Sequence, residues 1–175
     1  MRLPGREEAL AILREAGCSE GVINHCLNVN GIAIRIAEGL QGKGLKIDLA
    51  LVQAGALLHD LGRSRTHGIE HGVVGGEIAK ELGLPNKLVR IIERHIGGGI
   101  PAEETLALGL PEKDYVPESL EEKVVSYADK LIEGDREVEF EVTLGKFMEE
   151  LGEDHPGLDR MRALHEEISE LLGVR

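Results

Sequence analysis

Six side chains spread over the chain share one peculiarity. His25, His59, Asp60, His71, His95 and Asp129 each interrupt, begin or end an apolar line. The sharpest case is Leu57-Leu58-His59-Asp60-Leu61-Gly62, where an imidazole and a carboxylate close a run that is apolar apart from Gln53 and Gly55. Such a run, Leu49 to Leu58, reads as a helix buried on most sides, with Asp48 available as its N-cap. Polar groups at its end point into the interior, where an unpaired charge costs several kcal/mol. A metal ion is the compensation that fits this residue set. Nitrogen and carboxylate donors suit Fe, Mn, Co, Ni or Zn, and no CxxC or Cys–His spacing offers a closed structural zinc site.

For any one of the six a plainer reading exists: a hydrogen-bonded core histidine, a capping or ion-paired aspartate. Taken together they would need a separate buried partner each. Four histidines and two aspartates exceed what one catalytic ion with open positions takes, and they suit two ions sharing a carboxylate. In two-metal sites, with ions about 3.5–4 Å apart, a bridging water loses a proton near neutral pH and the phosphoryl group is polarised from both sides.

The elements that must position them are helical. Gly5 to Gly17 reads as a first helix, and Ser19 opens a longer one to about Leu40 that carries His25 near its buried stripe. Asp48 to Asp60 is the central helix, and Leu61 to Glu70 lacks a period and reads as a loop. From His71 the helical period returns through Leu82; Asn86 is a candidate cap for a short helix that ends at His95. Residues 96–118 form a long connection broken by Gly97-Gly98-Gly99-Ile100-Pro101, with one helical turn expected in Glu103–Leu110. Connections of that length are usually covers or mobile segments. Ser119 with Glu122 is a capping box, and its helix places Asp129 on the apolar line. Helices near Val142–Leu151 and Gly157–Leu172 close the chain, and no alternating pattern is long enough for a sheet. Gly72, Gly75 and Gly76 sit inside one helix, where they would permit close backbone approach.

Composition sets the limits. The 175 residues suffice for one domain burying about 70% of its unfolded surface. With 42% hydrophobic but only 2% aromatic residues and no Trp, the core must be aliphatic. A net charge of −12 argues against broad nucleic-acid or anionic-membrane binding. No run of about 18 apolar residues occurs, the segment Met1–Ala16 is too charged for a signal peptide, and Cys18 and Cys26 read as free thiols. A reduced, cytoplasmic setting with no membrane partner is expected.

The order His25, His59-Asp60, Asp129 resembles the HD-domain metal-dependent phosphohydrolases, with Leu61-Gly62 giving a close variant of their H-D-I-G motif. Glu70-His71-Gly72 and Arg94-His95-Ile96-Gly97 resemble the binuclear branch, and Tyr127-Ala128-Asp129-Lys130-Leu131 is similar to its closing segment. The resemblance covers about residues 20–136. It implies an all-α fold, a compact helical bundle forming one HD domain over 1–175, with additional C-terminal helices in 137–175. It also implies that His25, His59, Asp60 and Asp129 hold one metal, and that Asp60, His71 and His95 hold the second, with Asp60 bridging. Fe or Mn are the first candidates; Co, Ni, Zn or Mg are alternatives. Dinucleoside-polyphosphate hydrolases of this branch commonly carry a Lys soon after the HD pair, whereas Arg63 and Arg65 stand here.

The expected function is hydrolysis of a nucleotide or nucleotide-like phosphate ester by a metal-bridging hydroxide, with Asp60, His59 and Arg63 catalytic. Guanidinium forks match phosphate oxygens, so Arg63 and Arg65 are candidate substrate contacts, Arg63 first; a solvated loop charge is the alternative. Lys87, Arg90 and Arg94 form a basic stripe leading to His95; it either steers an anion or is a row of surface ion pairs. Lys130 carries the same two readings. His67 is a proton donor to a leaving group or a surface histidine, and His155 and His165 have no assigned role. No stable nucleic-acid complex is expected, and the oligomeric state is left open. Two further readings remain: a di-iron oxygenase with the same ligand order, separable by oxygen consumption, and a metal- or nucleotide-binding module without turnover.

Overall fold

The structure is a computed structural model that describes residues 2–174. Its helix boundaries follow the side chains that can satisfy free backbone groups. Helix α1 (Arg6–Ala16) stops at Gly17, whose φ of +93° is open to glycine at little cost. Helix α2 (Glu20–Gly42) starts at Ser19, whose hydroxyl accepts the Val22 N–H at 3.3 Å. Helix α3 (Leu49–Leu58) starts at Asp48, whose Oδ1 accepts the Leu51 N–H at 3.1 Å. A 3₁₀ turn, Leu61–Ser64, follows the His59-Asp60 pair where a plain loop was expected. Helices α4 (His71–Glu81) and α5 (Asn86–Glu93) come next; α5 begins at Asn86 behind Pro85, so Asn86 is inside the helix rather than its cap.

The connection that follows contains the short α6 (Ala102–Thr105) and a 3₁₀ turn, Leu106–Leu108. It is fastened down rather than loose. Ile100 and Tyr115 exchange backbone hydrogen bonds, Arg94 donates to the Val116 carbonyl at 3.0 Å, and Lys113 and Lys80 both pair with the buried Glu93. Helix α7 (Leu120–Asp129) starts at Ser119, which accepts the Glu122 N–H at 3.2 Å. Only half of the capping box forms: the Glu122 carboxylate accepts from the Glu118 N–H at 2.8 Å instead, and takes Arg90 and Arg94 as partners. A hairpin absent from the sequence reading follows, β1 (Ile132–Glu133) with β2 (Arg136–Glu137), Ile132 opposite Glu137 and Glu133 opposite Arg136. Helices α8 (Phe140–Leu151) and α9 (Pro156–Leu172) close the bundle, α9 capped by His155.

Helix α3 runs through the middle and packs against α1, α2, α5 and α7. Its apolar run explains this: Val52, Ala54, Ala56, Leu57 and Leu58 are wholly buried. Each large aliphatic side chain so placed stabilises the fold by roughly 1.5–3 kcal/mol. The chain after Leu58 is thereby anchored at the centre of the molecule, and the glycines of α4 let the next segment close over it. A Cβ on Gly62 would stand 1.9 Å from the His71 carbonyl oxygen, and one on Gly75 would stand 2.9 Å from the Gly62 nitrogen. Among the described residues no helix is long and apolar enough to cross a membrane.

Candidate metal centre

Three of the histidines are set by the same device. His59 follows α3, His95 follows α5 and His71 begins α4, and each points Nδ1 at the carbonyl three residues back. The distances are 2.8 Å to Ala56, 2.8 Å to Ile92 and 2.7 Å to Gly68. Carbonyls in the last turn of a helix lack intrahelical donors, so an imidazole N–H satisfies those of Ala56 and Ile92 and is oriented in return, whereas Gly68 lies in the turn that precedes α4. Each neutral ring then carries its proton on Nδ1 and offers an Nε2 lone pair to the centre.

Asp60 lies between these lone pairs. Its Oδ2 is 3.7 Å from Nε2 of both His25 and His59; its Oδ1 is 3.2 Å from Nε2 of His71 and 3.4 Å from that of His95. Asp129, the last residue of α7, closes the first half, with Oδ1 3.0 Å from His25 Nε2 and 3.5 Å from His59 Nε2. The six predicted ligands, from five segments, thus meet in one cluster. His25, His59 and Asp129 form one group whose donor atoms lie within metal-sharing reach, and His59, Asp60 and His95 form another.

Two observations test whether a cation fits. Buried His59 Nε2 and Asp60 Oδ1 have no hydrogen-bond partner among the described residues, a costly state unless something else binds them. Nε2 of His71 and Nε2 of His95 face each other at 3.0 Å. With both Nδ1 atoms committed to carbonyls, neither neutral ring has a proton to place between them, and a positive ion relieves the opposed lone pairs. The electrostatics agree. Burial works against charge on His59, yet Asp60 foremost, with Asp129, holds its pKa well above the usual value, so the pocket favours a positive charge there. Burial opposes charge on Asp60 and Asp129 too, but the surrounding imidazoles, His59 first for Asp60, and Lys130 beside Asp129 hold both well below the carboxylate range. His95 is pushed down by burial to about 4 and is neutral at pH 7. The donor set fits divalent metal, which His25, His59 and Asp129, or His59, Asp60 and His95, could hold.

The expected substrate contacts divide. Arg63 lines a cleft of about 320 Å³ together with His71, His95, Asp129 and Lys130; its Nε donates to Asp60 Oδ2 at 2.8 Å. Lys130 reaches the same cleft, but its amino group is committed: to Asp129 Oδ2 at 2.7 Å, the His95 carbonyl at 2.9 Å and the Ser126 carbonyl at 3.4 Å. Arg65 does not join them. It faces a separate depression beside α1 and lies 3.7 Å from Glu81. Arg94 is buried behind His95, bound to Glu122 at 3.1 Å and to the Val116 carbonyl, and does not line the cleft. Arg90 pairs with Glu118 and Glu122, so the expected basic stripe is in these two members an ion-pair network. His67 is exposed, and His165 accepts from Tyr127 Oη at 2.8 Å and stacks on Phe140, packing α9 onto the bundle. Sequence reasoning missed Thr143, Lys146, Phe147 and Glu150, which wall the cleft from α8. Their 3–4 residue spacing was the signal available.

The family model described as "HD domain" matches residues 22–134. An uncharacterised protein of Methanocaldococcus jannaschii is 53% identical over 95% of this chain and 98% of its own length. A tRNA (cytidine(56)-2'-O)-methyltransferase of Picrophilus torridus is 40% identical over 98% of this chain but 48% of its own, so the chain spans about half the length of that relative. A ribonuclease Y of Frankia alni is 29% identical over 72% of the chain and 16% of its own length. In structure the chain is similar to the HD domain of the Listeria monocytogenes phosphodiesterase PgpH, solved in complex with cyclic-di-AMP: TM-score 0.58, 15% identity, covering 95% of this chain and 98% of that one. That likeness shows the shared all-α fold.

Proposed function

The chain belongs to the HD-domain family, and on that premise we propose that it is a metal-dependent phosphohydrolase acting on a nucleotide-like phosphate ester at a centre of two ions, Fe or Mn. The observation that carries the reading is Asp60, whose two oxygens face separate histidine pairs, His25 with His59 and His71 with His95. Ions bound there supply Lewis acidity toward phosphoryl oxygens and acidify coordinated water. The protein's own residues do the rest. Asp60 would be shared between the two ions, with His25, His59 and Asp129 holding one and His71 and His95 the other. Arg63 holds Asp60 through Nε and keeps its Nη groups for anionic oxygens in the cleft it lines; among the described residues they make no hydrogen bond. Lys130 is paired with Asp129 and Lys146 with Glu133, which among the described residues leaves the Arg63 guanidinium as the cation of the cleft with uncommitted donors, and it supports phosphate chemistry over the oxygenase reading. Ile96 and Phe147 add apolar surface to the cleft wall.

The test is metal analysis of anaerobically purified protein, followed by a panel of cyclic dinucleotide, dinucleoside polyphosphate and nucleoside monophosphate with each candidate metal. Two ions per chain and metal-dependent phosphate-ester cleavage are expected, with Asp60→Asn losing both ions and at least about 100-fold in kcat. Fewer than one ion per chain under every condition overturns the reading. Oxygen consumption with a mixed-valent iron signal transfers it to the oxygenases. The relatives named for RNA favour a second reading, in which the ester is a phosphodiester of RNA, although the charge of −12 works against a long RNA footprint. A short oligoribonucleotide added to the panel separates the two.

A further inference from the structure

Beside the metal cleft lies a second chamber of about 340 Å³, and the two share His71, Ile96, Gly97, Phe147 and Glu150. Its chemistry is different. Ile69, Ile100, Leu108, Leu151 and Met161 supply much of its wall. Ile69, Leu108 and Leu151 are 38%, 41% and 44% exposed, unusual for large apolar side chains, and all three border this one space. A phosphate gains nothing from such walls. A flat, weakly polar group attached to that phosphate does, and a few hundred Å³ with mostly apolar lining is the ordinary setting for one.

The chamber is a built feature. Its floor includes Gly98, where a Cβ would stand 2.6 Å from the Met161 nitrogen, so α9 can lie flush only against glycine. Arg160 ties the same helix down, donating to the Gly99 carbonyl at 3.1 Å and gripping Glu104 with both Nη groups at 3.0 and 2.7 Å. The chamber's polar fittings are His67, Glu150 and His155, with His71 shared with the metal cleft and Arg160 bound to Glu104. His155 accepts the Gly157 N–H through Nδ1 at 3.0 Å, so the neutral ring carries its proton on Nε2 and has one donor left. Glu150 supplies an acceptor. A ring N–H from His155 and a carboxylate from Glu150, set among apolar walls, match the donor and acceptor edge of a heteroaromatic base.

Phe147, Leu151, His155 and Met161 all lie beyond residue 134, where the HD match ends. We propose that this chamber receives the nucleobase of the substrate while its phosphate lies at the metal centre, and that α8 and α9 set which base is accepted. The inference deepens the phosphohydrolase reading and rests on it for the identity of the ester. The test needs neither metal nor turnover: chelator-treated protein is titrated with adenosine, guanosine, cytidine, uridine and ribose 5-phosphate while methyl NMR signals are followed. At least one nucleoside should give saturable shifts at Ile69, Ile96, Leu151 and Met161, and ribose 5-phosphate should not. Leu151→Arg and His155→Ala should each weaken that nucleoside about tenfold, a change of roughly 1.4 kcal/mol, with the core methyls of Ile23 and Leu57 unmoved. Absence of nucleoside shifts at these methyls overturns the proposal, as do shifts that both variants leave intact. So does saturation by octanoate in place of any nucleoside, which assigns the chamber to an acyl chain. A protein that binds nucleoside but cleaves no ester loses the phosphohydrolase reading alone; one that cleaves esters but binds no nucleoside loses this inference alone.

Discussion

Lys130 has every proton of its ammonium group committed to Asp129, His95 and Ser126, and it is buried. A lysine held this way cannot reach a phosphate without leaving a carboxylate and a carbonyl unpaired. It positions the centre instead of touching substrate. Lys130→Met should therefore cost about 1–3 kcal/mol in urea denaturation and speed metal loss to a chelator, with little change in KM. A KM rise at unchanged metal retention would return Lys130 to the substrate contacts. At this scale the sequence was a good guide to which residues converge and a poor guide to which cations stay available. The six clustered residues were legible because each breaks an apolar line, a local property. The choice of Glu122 for Arg94 and Glu81 for Arg65 depends on which carboxylate the fold brings near, which no local pattern carries.

Elements were legible wherever a cap marks them. Ser19, Asp48 and Ser119 all receive the N–H expected of them. The β1–β2 hairpin was not, because two residues per strand leave no alternation to see. The fastening of residues 96–118 was equally hidden, since Arg94, Lys113 and Tyr115 look like ordinary polar loop and helix residues until their partners are known. The glycines of α4 were read as permitting close approach: Gly75 admits Gly62 of the 3₁₀ turn carrying Arg63, and Gly72 and Gly76 admit the segment Ile92–Ile96. Gly62→Ala would place its methyl 1.9 Å from the His71 carbonyl, forcing α4 away and separating His71 from Asp60. Its expected cost is about 3 kcal/mol, visible as a lowered thermal midpoint together with reduced metal content. Retention of both would mean the turn has room that the backbone does not display.

Across the whole molecule the buried ionisable groups make stability depend on pH in two directions. His95 takes a proton at about 4 when folded but near 6.5 when unfolded. The unfolded chain therefore binds more protons in that window, and stability falls as pH drops from about 6.5 to about 4. Asp60 and Asp129, with lowered pKa values, add a loss that begins as pH falls into the ordinary carboxylate range and continues below it. His59 acts oppositely: its pKa is raised, so its contribution is complete below 6.5 and is lost as pH rises through the folded value. Metal-free protein should be most stable between these limbs. Adding Mn should flatten the alkaline limb, because an ion then takes the place of the His59 proton. Urea midpoints from pH 4 to 9, with and without Mn, measure both; an alkaline limb indifferent to metal would count against His59 as a ligand.

Asp60 gives one oxygen to each half of the centre, and a single torsion moves both. An ion held on Oδ2 would fix the angle at which Oδ1 is presented and would draw electron density away from it. The halves are then thermodynamically coupled: the first occupant changes the affinity for the second by the same factor that the second changes it for the first. A calorimetric titration with one metal should resolve two linked steps in place of two independent ones. Because the first ion would weaken the oxygen left for the second, the second step is expected to be the looser one, and in a cell running short of metal the half-filled centre would outlast the full one.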